Sequence, residues 1–141
     1  MELPSELVKI LVERGQILYS NIFANIDHPK FFVVVGVTED EVAGFFYINS
    51  RINTNVNTKE EQLRLQFPIS KDDYEFLSHD SYISATNVVT LPRDVIVRSM
   101  QSGQTLIKGK LLDNHMNDIL NKVRSSRLFS KITKDRFFYL A

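Results

Sequence analysis

Phe31-Phe32-Val33-Val34-Val35, then Thr38-Glu39-Asp40-Glu41, then the run from Val42 to Ile48: the reading of this stretch decides the fold. An unbroken string of β-branched and aromatic residues suits a strand buried on both faces. The charged group after it reads as a turn, and 42–48 returns as the second arm of a hairpin. Just before the first arm, His28-Pro29 breaks the chain, because proline restricts its predecessor and has no amide to donate. Ile17 to Phe23 reads as an earlier strand. Further back, Ser5 caps a short helix with Leu7, Ile10 and Leu11 at helical spacing and Glu6 near the positive end of the dipole. Gly15 ends that helix.

Toward the C-terminus, Asn49 to Thr58 is polar and asparagine-rich, the composition of an exposed loop. Leu63, Leu65 and Phe67 alternate with Gln62, Arg64 and Gln66, the period of a half-buried strand, and Pro68 stops it. Ser70 with Asp73 resembles a capping box for one helical turn carrying Tyr74, Phe76 and Leu77. Tyr82 to Leu91 reads as a strand closed by Pro92. Asp113 caps the strongest helix, whose Met116, Ile119, Leu120 and Val123 fall at i, i+3, i+4 and i+7. Short strands followed by a terminal helix predict a mainly β fold, a small barrel or strongly coiled antiparallel sheet with an N-terminal and a C-terminal helix.

Composition narrows the class. The chain has 141 residues, 43% of them hydrophobic, which suits one globular domain and excludes wholesale disorder. With no cysteine there is no disulfide framework, thiolate metal site or cysteine nucleophile. No apolar run approaches the roughly 20 residues of a membrane helix. The N-terminus alternates charged with apolar residues, unlike a signal peptide. A cytoplasmic protein with no membrane segment is the expectation. Seventeen basic residues balance 17 acidic ones, so any polyanion must be met by local clustering rather than a global field. Such a cluster exists at Lys122, Arg124, Arg127, Lys131, Lys134 and Arg136, interleaved with Phe129, Phe137, Phe138 and Tyr139. Aromatics beside cations suit single-stranded RNA, but a terminal strand packing its aromatics on the sheet is the favoured reading.

Separated stretches, in order, resemble the MazF/PemK toxin family. Arg14-Gly15-Gln16-Ile17-Leu18 resembles the opening "RG-D-I/V", and His28-Pro29-Lys30-Phe31-Phe32-Val33-Val34-Val35 the "RP-V-L-V-V" strand. Phe46-Tyr47-Ile48-Asn49-Ser50 is similar to the next strand, ending in "T-S". Asp80 to Leu91 is similar to "S-V-V-L-L-D-Q-I-R-T-I", and Gly109-Lys110-Leu111 leading into Met116 to Leu128 resembles "G-x-L" and the last helix. The resemblance divides the single domain 1–141 into an N-terminal helical extension (1–14), a barrel with its last helix (15–129) and a basic, aromatic tail (130–141). It implies an SH3-like barrel, a homodimer, a small antitoxin partner, and endoribonuclease activity that needs no metal or other cofactor. His28 stands where the family has its catalytic arginine, and Ser50 where it has its catalytic threonine or serine. Asn87 replaces the family's glutamine and Val89 its second arginine.

Cleavage by the neighbouring 2′-OH needs a base, a cation for charge on phosphorus and an acid for the leaving oxygen. His28 offers an imidazole, which titrates near neutral pH. Lys30 or Arg51 offers the cation and Ser50 a hydrogen bond to phosphate. Asn49 and Asn87 are the candidate base-reading amides, with Arg51 a third RNA contact. The plain alternative is that His28-Pro29 is only a turn, and asparagine an ordinary loop residue. His79-Asp80-Ser81 superficially suggests a nucleophilic triad, but adjacent side chains do not converge on one another, so a surface turn is expected. His115 reads as a solvated residue of the last helix. Three histidines without ligand-like spacing give no metal site. Two functions follow: a toxin-like endoribonuclease for single-stranded RNA, or a non-catalytic barrel that binds a protein or nucleic acid.

Overall fold

In the computed structural model, which describes residues 12–23, 28–52 and 59–140, the hairpin predicted around Glu39-Asp40 is the centre of a sheet. The chain runs β1 (Gln16–Ser20), β2 (Lys30–Val37), β3 (Val42–Asn49), α1 (Glu60–Arg64), β4 (Gln66–Ile69), β5 (Ser81–Pro92), α2 (Arg93–Gln101), β6 (Thr105–Lys110), α3 (Asp113–Ser125) and α4 (Lys131–Phe137). Among the described residues, six strands form one antiparallel sheet in the order β4-β5-β3-β2-β1-β6, with β4 and β6 at its edges. At the β2–β3 turn the Thr38 amide donates to Val42 O at 2.8 Å, and Glu41 takes a left-handed φ of 65°.

Both faces of β2 are buried, as its composition predicts. Val33 and Val35 enter one core with Phe46, Ile48 and Ile83, roofed by Met116, Ile119, Leu120 and Val123 of α3. Phe32 and Val34 enter the other with Leu18, Phe23 and Phe45, roofed by Ile96 and Val97 of α2. Burying each such side chain contributes about 1.5–3 kcal/mol. The α3 stripe is as predicted, but its N-cap is Leu112; Asp113 is the first helical residue, where its charge suits the dipole.

Gly36 and Gly44 are cross-strand partners on β2 and β3. Without side chains they make a flat seat for Phe137: a Cβ on Gly36 would lie 2.4 Å from Phe137 O, and one on Gly44 2.6 Å from Phe137 Cδ1. Phe137 and Phe138 are accordingly buried. Arg14 fastens this arrangement, donating to Val35 O (2.7 Å) and Phe137 O (3.1 Å) with its guanidinium 4.0 Å from the Tyr139 ring centre.

Several sequence expectations change. The helix expected around Ser5 to Leu11 lies outside the described residues. The alternation at 62–67 is not one strand: it is α1 followed by β4. Gln62 Oε1 accepts from the Lys59 amide (3.2 Å) and Arg64 pairs with Glu60 one turn back (2.7 Å), so local helical bonds win, and Leu63 is left exposed. Pro68 does not stop β4 but sits within it, tolerated because β4 is an edge strand. Ser70 and Asp73 close a turn, not a helix: Ser70 O accepts from the Asp73 amide and Ser70 Oγ from Asp72, at 3.1 Å each. The tail forms α4 instead of a strand, with Ser130 Oγ capping Thr133 N at 3.1 Å, although its aromatics do pack on the sheet. The elements expected from sequence include neither α2 nor β6. In β6 only Thr105 is buried, so no alternation announces a strand.

Candidate active site

Antiparallel pairing brings the start of β2, the end of β3 and the start of β5 to one end of the sheet, with Phe31 opposite Ile48 and Asn49 opposite Tyr82. The loops that leave these strand ends wall a groove of about 880 Å³. His28, Pro29 and Lys30 supply one wall, Asn49, Ser50, Arg51 and Ile52 the second, and Leu77, Ser78, His79 and Ser81 the third. Ile48 and Phe31 also line it; Ile48 is buried, and Phe31 packs on Phe76 with ring centres 4.9 Å apart. Among the described residues that line the groove there is no carboxylate. Two imidazoles, an ammonium and a guanidinium thus face one space in a chain of zero formal net charge.

Lys30 is held on two sides. Its Nζ donates to Asn49 Oδ1 at 2.7 Å and stands 5.0 Å from the Tyr47 ring centre. Burial lowers its pKa from the usual lysine value, since desolvation disfavours the charged form. An ammonium carries three protons, so the asparagine contact leaves donors for an anion. His28, Ser50 and Arg51 are exposed at the rim.

Five of the sequence-derived candidates therefore share one groove: His28, Lys30, Asn49, Ser50 and Arg51. Asn87 does not. It lies exposed in β5, within the stretch where the β3–β5 register shifts, away from the groove walls. Asn49 serves first as the partner of Lys30.

His79, read from sequence as a bystander, lines the groove, while its neighbours do form no triad with it. Ser81 Oγ donates to the His79 carbonyl (3.0 Å), and Asp80 Oδ1 accepts from the Lys71 amide (3.0 Å). His79 Nδ1 instead meets Ser78 Oγ at 3.1 Å. No local signal distinguishes that histidine; only the pairing of β5 with β3 delivers it. His115 is not simply solvated either: its Nδ1 lies 2.6 Å from Tyr74 Oη, which also accepts from the Leu112 amide at 3.0 Å. The basic cluster is partly structural, with Arg124 donating to Phe138 O (2.7 Å), Arg136 paired with Asp40 (3.3 Å) and Lys122 stacked over Phe67 at 5.1 Å.

Among the described residues, no group of three or more His, Asp or Glu is arranged to hold a metal ion, and no helix is long and apolar enough to cross a membrane. No protein-family model matches the chain, and no curated protein sequence matches it. An imidazole, a fixed cation and a hydroxyl around one space are suited to an anionic, phosphate-bearing ligand.

Proposed function

We propose that this chain is a metal-independent endoribonuclease of the MazF/PemK toxin type, cutting single-stranded RNA in the groove at the ends of β2, β3 and β5. The observation that carries the reading is that His28 and Lys30, 20 or more residues from Ser50 in sequence, line the same groove as Ser50 and Arg51 without a carboxylate among the described walls. His28 takes the proton of the 2′-OH, Lys30 meets the charge that grows on the phosphoryl oxygens, and Ser50 donates a hydrogen bond to phosphate. Lys30 is held by Asn49 before substrate arrives, so little reorganisation is needed at the moment of reaction. Arg51 at the rim takes a flanking phosphate.

The same reading takes the sheet as an SH3-like barrel in a homodimer held in check by a small antitoxin. Register shifts in the β1–β6, β2–β3 and β3–β5 ladders support strong coiling, because each bulge bends its strand. Edge strand β6, with Leu106 and Ile107 exposed, offers a surface for a second copy. Sedimentation at tens of micromolar is expected to give twice the 16.3 kDa chain mass, and a lone monomer removes the dimer.

The activity test is cleavage of single-stranded RNA by purified protein. His28→Ala and Ser50→Ala are each expected to slow it, the former by on the order of 10²–10⁴, with the circular dichroism spectrum unchanged and EDTA without effect. If the wild type cuts no RNA and neither substitution relieves a growth defect on expression, the chain is a binding module instead.

A further inference from the structure

We propose that His79 is the second acid–base group of this groove, protonating the leaving 5′-oxygen while His28 deprotonates the 2′-hydroxyl. The inference rests on the endoribonuclease reading above and adds the half of the proton transfer that reading leaves unassigned. A single imidazole that has just accepted the 2′ proton is on the wrong side of the phosphorus to serve the departing oxygen in an in-line displacement. A second group on a facing wall is required.

His79 meets that requirement by position. His28 arrives from the start of β2 and His79 from the segment before β5, two different walls of one groove with β3 between their strands. The backbone of His79 is held by the Ser81 hydroxyl, donating to its carbonyl at 3.0 Å. The Asp80 carboxylate accepts from the Lys71 amide, so the chain just after the imidazole is braced twice. Nδ1 is engaged by Ser78 Oγ at 3.1 Å, so the proposal assigns Nε2 to the substrate. When His79 carries the proton to be delivered, Nδ1–H donates to that hydroxyl oxygen and the contact is kept.

The step balances within the chain. The O2′–H proton passes to His28, the O2′–P bond forms, the P–O5′ bond breaks, and the Nε2 proton of His79 passes to O5′. The products are a 2′,3′-cyclic phosphate and a 5′-hydroxyl, and exchange with water restores both imidazoles. Among the described residues, the charged and titratable groups on the walls are His28, Lys30, Arg51 and His79, with Asp80 beside the last.

His79 is exposed, so replacing it leaves the core intact. The substrate is a single-stranded RNA oligonucleotide carrying one linkage that the wild type cuts, made a second time with sulfur in place of the bridging 5′-oxygen. Sulfur leaves without protonation, so a missing general acid is rescued and a missing base is not. His79→Ala is expected to slow the oxygen substrate by about 10²-fold or more, and to cut the sulfur substrate at close to the wild-type rate. His28→Ala is expected to be slow on both. A His79→Ala protein that matches the wild type on the oxygen substrate, or is equally slow on both, overturns the assignment while the endoribonuclease reading stands. A wild type for which no single-stranded RNA yields a cut linkage overturns both.

Discussion

Replacing Gly36 by alanine tests the seat on which the C-terminal helix rests. The new Cβ would stand 2.4 Å from Phe137 O, 3.1 Å from Phe137 C and 3.2 Å from its Cα, whereas ordinary contact begins near 3.4 Å. The obstacle is backbone, so no rotamer change relieves it, and Phe137 must retreat by roughly 1 Å to restore ordinary contact. That retreat lengthens the Arg14–Phe137 O hydrogen bond, now 3.1 Å, beyond useful range. Overpacking costs about 1–3 kcal/mol, and losing a hydrogen bond from a charged donor about 1.5–3 kcal/mol. Relief of glycine's unfolded-state entropy returns about 0.5–1 kcal/mol. The net expectation is a loss of about 1.5–5.5 kcal/mol, a large share of the stability of an ordinary domain. Urea unfolding followed by far-UV circular dichroism measures it, with the midpoint falling and the slope unchanged. Gly44→Ala supplies the control, because its Cβ meets the Phe137 ring at 2.6 Å and Val88 Cγ1 at 2.8 Å. Phe137→Ala should therefore offset part of Gly44→Ala but little of Gly36→Ala. A Gly36→Ala protein within about 0.5 kcal/mol of wild type, the usual range for innocuous surface changes, would refute the seat.

Arg14→Lys keeps the charge but cannot span two carbonyls and the Tyr139 ring, so a loss of about 1–3 kcal/mol is expected in thermal unfolding; an unchanged melt would contradict the fastening role. Tyr74→Phe removes the oxygen that accepts from the Leu112 amide and meets His115, and about 1–2 kcal/mol is expected from chemical unfolding, with the His115 ring resonances shifting in NMR spectra. Lys30, desolvated in the fold, is expected to titrate below the ordinary 10.5 when followed by NMR of reductively methylated protein. Because its folded pKa is the lowered one, the unfolded chain binds more protons between the two values, so stability rises with pH through that window. Lys30→Met should flatten that rise, and a rise that persists places its origin elsewhere.

The fold was legible where composition and burial coincide. Phe31 to Val35 could only be a strand covered on both sides, and Met116 to Val123 only a helix with one buried stripe; both stand. Legibility failed where local hydrogen bonds overrode the period. Gln62 and Arg64 close a helical turn through Lys59 and Glu60, so alternation over 62–67 gave the wrong element. It failed again where packing gave no pattern at all, as in β6, whose Leu106 and Ile107 face outward.

The groove divides along the same line. His28 and Lys30 stand at the start of one arm of the hairpin and Asn49, Ser50 and Arg51 at the end of the other, so once the turn at 38–41 is recognised, antiparallel pairing must bring them together. That much is arithmetic on a hairpin. His79 and Asn87 depend instead on how β5 lies against β3, and that pairing treats the two residues differently. His79 precedes a regular stretch in which Asn49 pairs with Tyr82 and Tyr47 with Ser84, which carries the turn before β5 to the groove. Asn87 falls between Ser84 and Val89, in the interval where the ladder slips before resuming at Phe45. A slip of one residue exchanges the two faces of a strand. It leaves no mark in composition, because Thr86, Asn87 and Val88 are as compatible with a bulge as with a straight ladder. Which side chains β5 delivers to the groove is therefore a property of strand pairing, and local sequence about either residue does not contain it.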